Sequence, residues 1–167
     1  MSNIFEGRVW KFGDEIDTEI MVPASAMTLS DSEMARCCFS TNRPGWVDLV
    51  KKGDIIVAGK NFGIGSSRPG SKVLKALGIS CILAESINGL FLRNCVNFGL
   101  PALPCVGIHE AFKEGDIARV FFDEGKIINQ TRGIEINTTP LPDMLIKIIE
   151  AGGIIPMLDA RGCLEKV

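Results

Sequence analysis

Residues 54–104 read DIIVAGKNFGIGSSRPGSKVLKALGISCILAESINGLFLRNCVNFGLPALP, and their rhythm decides the fold class. Asp54–Ala58 is a short apolar run rich in β-branched residues, the pattern of a buried strand. Gly59–Ser67 is rich in glycine and leads into Pro69–Leu77, where Val73, Leu74 and Leu77 share one helical face. Pro69 suits a first helical turn, and Gly78 suits the position just after a helix. Ile79–Ala84 is a second continuous apolar run. Ser86 can cap a second helix, Ile87–Phe98, closed by Gly99, and Leu100–Leu103 makes a third strand ending at Pro104. This strand–helix–strand–helix–strand order predicts a parallel layer with right-handed crossovers.

Upstream, Ile4–Phe12 alternates loosely and reads as a strand. Gly13–Glu19 is a polar, acidic loop, and the apolar run Ile20–Val22 is stopped by Pro23. Ser25–Gly45 is irregular, and loops of that length in compact domains are often lids or binding loops. A short helix around Ser32–Phe39, with Asp31 as N-cap, is expected to interrupt it. Downstream, Ile117–Phe122, a turn at Asp123–Gly125 and Lys126–Asn129 form a hairpin, and Gly133–Asn137 adds a short strand. Pro140–Ala151 is amphipathic, with Leu141, Met144, Leu145, Ile148 and Ile149 on one helical stripe that reads as core. Ile154–Leu158 is expected to be a final strand. The predicted architecture is α/β: a parallel βαβαβ layer with an accompanying β-rich part, in a single domain over residues 1–167.

The composition narrows the function classes. With 46% hydrophobic residues and a net charge of −2, the chain has the means to build a core, and disorder is excluded. Eighteen Lys and Arg against twenty Asp and Glu leave no basic footprint for nucleic acid. The apolar runs are far shorter than the roughly 20 residues that cross a bilayer, so no membrane contact is expected. Glu6 and Arg8 leave no apolar stretch for a signal peptide. The cysteines, at positions 37, 38, 81, 95, 105 and 163, contain no C-x-x-C pair, and His109 is the lone histidine. Reduced, structural cysteines in a cytoplasmic protein fit this spacing. No metal is expected on this chain, and a metal-dependent reaction would need one on another chain.

Gly59-Lys60-Asn61-Phe62-Gly63-Ile64-Gly65-Ser66-Ser67-Arg68-Pro69 is the sharpest chemical feature. A loop that opens a helix presents unpaired N–H groups and a positive dipole end, which suit an anion. Arg68 can clamp a carboxylate or phosphate with two hydrogen bonds. The Walker pattern fails, because Gly65 is followed by Ser66. The dinucleotide pattern fails, because Arg68 stands where its third glycine belongs. A carboxylate site and a plain strand-to-helix turn capped by Ser67 both remain open on these grounds.

Gly63-x-Gly65-Ser66-Ser67-Arg68 after a strand resembles the swivelling domain of the aconitase superfamily. The likeness continues through Leu77-Gly78-Ile79, Ala84-Glu85-Ser86, Arg93-Asn94 and Asn97-x-Gly99-Leu100-Pro101. Ile16-Asp17-Thr18-Glu19-Ile20-Met21-Val22-Pro23 looks like the I-D-T-D-x-I-x-P segment of isopropylmalate isomerase small subunits. The resemblance implies an aconitase-type swivelling β/β/α domain. It also implies a separate small subunit with no cofactor of its own, closing over a large subunit that carries a [4Fe–4S] cluster. The implied reaction is dehydration and rehydration of a small 2-hydroxy diacid, with 2- and 3-isopropylmalate of leucine biosynthesis as first choice. Another branched diacid of the dimethylmalate or citramalate type is the alternative, and a non-catalytic anion-binding module is the rival from outside this class.

On that resemblance Ser66 is the base, while Ser67 and Arg68 bind substrate carboxylate. Met27 and Thr28, in the loop Ala24–Leu29, face the variable part of the substrate. Pro69-Gly70 depart from the family, which usually has Glu and then His or a small residue there. Arg93, Asn94 and Asn97 are expected to support the site or tie helix to loop. Asp17 and Thr18 shape the loop below the site or make a simple turn. His109 reads as a solvated loop residue, and Arg36 and Arg43 read as surface charge, with a reach to substrate or partner as the alternative.

Overall fold

Ile55–Ala58 (β2) and Cys81–Ala84 (β3) are buried at every position, as strands covered on both faces must be. The structure, a computed structural model, describes residues 3–65 and 68–164. Ahead of β2 come β1 (Ile4–Lys11), α1 (Thr18–Met21), a 3₁₀ turn (Ala24–Ala26), α2 (Asp31–Arg36) and α3 (Trp46–Leu49). α4 (Gly70–Ala76) joins β2 to β3, and α5 (Gly89–Asn97) joins β3 to β4 (Ala102–Pro104). Then follow α6 (Ile108–Ala111), β5 (Ile117–Phe121), β6 (Lys126–Asn129), β7 (Ile134–Asn137), α7 (Asp143–Glu150) and α8 (Ile154–Ala160).

The strands form one sheet in the order β4-β3-β2-β1-β5-β6-β7. β1 through β4 are parallel neighbours; β5 pairs antiparallel with β1, and β6 and β7 continue antiparallel. β1 belongs to both halves: Ile4–Arg8 register with β5, and Val9–Lys11 register with β2. Side chains alternate across a strand, so β2 feeds two cores. Ile56 and Ala58 join Trp10, Phe39, Trp46 and Phe91 on one face. Ile55 and Val57 join Val9, Phe112, Phe122 and Ile148 on the other. The predicted βαβαβ layer, hairpin and amphipathic helix are all present, but Met144 is exposed rather than core, and Ile146 is buried in the helix beside Ile148 and Ile149.

Four local readings change. Ile154–Leu158 is the start of helix α8 and not a strand. Gly152 and Gly153, with φ of 88° and 126°, end α7 and turn the chain so that a second helix packs against α5 and α7. Ser30, not Asp31, caps α2, through a capping box with Glu33. The Ser30 hydroxyl and N–H hold the Glu33 carboxyl below its usual range. Asn88, not Ser86, caps α5. Residues 20–21 close the short helix α1 capped by Asp17, with Val22 at its C-cap.

Candidate functional site

The glycine loop after β2 is held on both sides by backbone. On one side Gly63 N–H donates to Ile16 O at 2.7 Å, and Ile64 O accepts from Thr18 N–H at 2.9 Å. On the other, Phe62 N–H donates to Ser86 O at 3.0 Å, and Phe62 O accepts from Asn88 N–H at 2.8 Å. Parallel bridges Asp17↔Ile64 and Phe62↔Ile87 extend the sheet past the end of β2. Ser86 is part of this strap: its hydroxyl accepts from Asn61 N–H at 2.9 Å. Asn61 also donates through its side chain to Glu15. Both residues have φ of 57°, a left-handed conformation that non-glycine residues adopt only where surroundings impose it. Gly63, at φ 81°, lies so close to Phe91 that a Cβ would stand 2.1 Å from the ring. Only glycine fits there.

Arg68 leaves the far end of the loop and turns back onto α1. Nη1 donates to Val22 O at 2.7 Å, and Nη2 meets Glu19 Oε1 at 3.2 Å. The Arg68 side chain is 15% exposed and Glu19 64%. The carbonyl contact therefore fixes the guanidinium, while the ion pair lies open to water and is worth at most about 1 kcal/mol. An incoming carboxylate can take the Glu19 side of the guanidinium without releasing Val22. Glu19 and the Glu15–Asn61–Ser86 strap escaped the sequence reading. Asn61 carried the one available signal, since Asn tolerates left-handed backbone better than most residues.

Ser66 and Ser67 lie outside the described residues. Met27 and Thr28 are exposed just past the 3₁₀ turn, which Ala26 anchors in the core. They follow Val22 along the chain but make no hydrogen bond to Arg68 among the described residues. Asp17 caps α1 by accepting from Ile20 N–H at 2.7 Å. Thr18 is fully buried, and its hydroxyl has no hydrogen-bond partner among the described residues.

Among the described residues the secondary candidates make no hydrogen bond to the glycine loop. Arg93 is exposed, and Asn94 and Asn97 line a separate groove of about 500 Å³ with Lys72, Lys75 and Ile155. Neither the support role nor the tie expected of them is present among the described hydrogen bonds. His109 is not a solvated loop residue: it sits in α6, with Nε2 3.1 Å from Phe12 O and its N–H donating to Glu85. Arg43 stacks on Trp10 and Phe12, donates to Lys11 O and pairs with Glu114, so it braces β1. Arg36 pairs with Asp48 at 2.6 Å on the surface.

The cysteines do not suit an iron–sulfur cluster, which needs several thiolates at one place. Cys38, Cys81 and Cys95 are buried on different elements, and burial pushes their thiols far above the ordinary range. Burial, with the nearby Glu85 charge, pushes Cys105 up to about 11. Among the described residues no three His, Cys, Asp or Glu side chains group as a metal site. No helix among them is long and apolar enough to cross a membrane.

Residues 38–105, from the end of α2 through the glycine loop to β4, match the family described as aconitase C-terminal domain. The chain is 45% identical over 152 residues to a 3-isopropylmalate dehydratase small subunit of Halothermothrix orenii, covering 90% of this chain and 92% of that one. It is 44% identical over 163 residues to an isopropylmalate/citramalate isomerase small subunit of Methanocaldococcus jannaschii, covering 96% and 97%. The crystal structure of a 3-isopropylmalate dehydratase from Methanocaldococcus jannaschii superposes with a TM-score of 0.88 at 33% identity, covering 95% of each chain. Likeness in sequence and fold along nearly the whole length places the chain in the 3-isopropylmalate dehydratase small-subunit family of the aconitase superfamily.

Proposed function

We propose that this chain is the small subunit of a hydro-lyase that isomerises 2-isopropylmalate and 3-isopropylmalate by dehydration and rehydration, in the cytoplasm, as a step of leucine biosynthesis. The whole chain acts as one swivelling domain, and its partner is a large subunit that carries the [4Fe–4S] cluster. The observation that carries this reading is the glycine loop, held by backbone on both sides as far as Ile64 and followed by an arginine anchored on α1. These contacts fix Ile64 and the Arg68 guanidinium on either side of the proposed site, and catalysis by positioning depends on such anchors. Ser66 takes the proton α to a carboxylate. Ser67 and Arg68 hold that carboxylate, with Arg68 exchanging Glu19 for substrate.

The specificity loop Ala24–Leu29 carries no charge and exposes Met27 and Leu29, so the substrate group facing it is a short alkyl. An apolar surface separates alkyl groups by only about 1–3 kcal/mol per methylene. Methyl-substituted malates should therefore compete with isopropylmalate, and citrate should be much poorer, because an unpaired carboxylate is costly to bury. The relative named for both isopropylmalate and citramalate agrees with such breadth.

The test is steady-state turnover with the large subunit present. Ser66→Ala should lower kcat about a hundredfold or more, the contribution of a general base, with folding and association intact. Turnover by this chain alone, near-normal activity of Ser66→Ala, or a preference for citrate would each overturn the reading.

A further inference from the structure

Val106 stands out from the turn after β4 with 85% of its surface in water, more than any other large apolar side chain among the described residues. An exposed valine on a loose tip would need no explanation. This turn is not loose. Cys105 N–H donates to Ala84 O at 2.7 Å, and the Glu85 carboxylate accepts from Gly107 N–H and His109 N–H, both at 2.8 Å. His109 Nε2 lies 3.1 Å from Phe12 O, and Ile108 is fully buried. Both chain neighbours of Val106 are thus tied down, and the valine between them is held out in water. Such preorganisation lowers the entropy cost of binding a partner.

The turn borders a crevice of about 660 Å³, whose walls come from residues just past the ends of β1, β2, β3 and β4. These strands are parallel, so their four carboxyl ends share one edge of the sheet. The glycine loop leaves β2 at that same edge, and a subunit that closes on the loop approaches from there. The crevice is acidic: Asp14, Glu85 and Glu110 line it against a single Lys60. Glu85 is committed to the turn, and Asp14 accepts from Lys60 N–H at 2.7 Å. The Glu110 side chain, beside the valine turn, is 93% exposed.

We infer that the Val106 turn is a docking point for the large subunit proposed above: Val106 enters an apolar pocket of that subunit, and Lys or Arg side chains around the pocket meet Glu110 and Asp14. The inference rests on the reading of this chain as one subunit of a heteromer. An apolar anchor within a charged rim is the common anatomy of an interface. The two parts act on different steps. Rim charges speed encounter, and the desolvated anchor slows release.

The experiment follows binding of the full chain to the immobilised large subunit by surface plasmon resonance, for the parent, Val106→Asp, Glu110→Lys and Leu49→Asp. Leu49 is the control: it is 58% exposed in α3, ahead of β2 and so at the amino end of the parallel strands. Val106→Asp should raise Kd at least about tenfold, chiefly through faster release. Glu110→Lys should slow association at least about threefold at low salt, and the difference should fade as salt is raised. Leu49→Asp should bind as the parent does. All three variants should melt with the parent, since the substituted side chains lie in water. Parental binding by Val106→Asp would overturn the inference. A loss in Leu49→Asp equal to that in Val106→Asp would also overturn it, placing the contact elsewhere. So would self-association of the parent that Val106→Asp abolishes while binding to the large subunit persists, which would make the turn a contact between copies of this chain. Failure of the parent to bind the large subunit at all would remove the reading on which the inference stands.

Discussion

Arg68 reaches its place before any ligand arrives, because Val22 O holds one of its nitrogens and packing covers most of its length. Lysine could keep the charge but would have one nitrogen to divide between the carbonyl and a carboxylate. Arg68→Lys should therefore lower kcat/KM at least about tenfold, the loss of one charge-assisted hydrogen bond. Circular dichroism should show no change of fold. Parental kinetics would mean that the guanidinium serves α1 alone. The position of Arg68 after a strand and two glycines left a site and a capped turn equally open, and the family resemblance singled out the site. Glu19 and Glu15 were not legible, because they meet Arg68 and Asn61 across a large separation in the chain, and one sequence carries no sign of such a meeting.

Among the elements, α1 has the most consequence for its size. Four residues cannot form a helix unaided, and α1 exists because Asp17 caps it, Ile64 pairs with its first residue and Arg68 holds the carbonyl at its end. Asp17→Ala should lose about 1 kcal/mol of stability, the usual value of an N-cap, measured by denaturant titration. Turnover should fall by more than that loss explains, since α1 carries contacts to both ends of the proposed site. Equal falls would show that α1 is only scaffold. The large rhythm of the layer was plain in the sequence, whereas α1, α3 and α6 were not. A helix of four residues is a single turn, too short to display a 3.6-residue period. α8 was misread for a related reason: an apolar run of five residues suits a strand or a buried helix equally, and only the docking against α5 and α7 decides.

Over the whole molecule, four of the six cysteines are buried. At pH 8 a thiol reagent should label Cys163 rapidly in the native protein and leave Cys38, Cys81, Cys95 and Cys105 untouched until denaturant is added. Burial both blocks the reagent and holds these thiols protonated. Labelling of the buried four at the rate of Cys163 would mean that the two cores open readily. The sheet order has a consequence for biosynthesis. β1 leaves the ribosome ahead of the other strands of this sheet, and β2, β3 and β4 then add outward in the order of translation. Its second edge waits uncovered until β5 is made, and an open strand edge invites pairing with other nascent chains. Glu6 and Arg8 stand on that waiting edge as charged gatekeepers. Glu6 finally comes to rest opposite Arg119 of β5, so the charge that repels a foreign strand during synthesis admits the strand that belongs there.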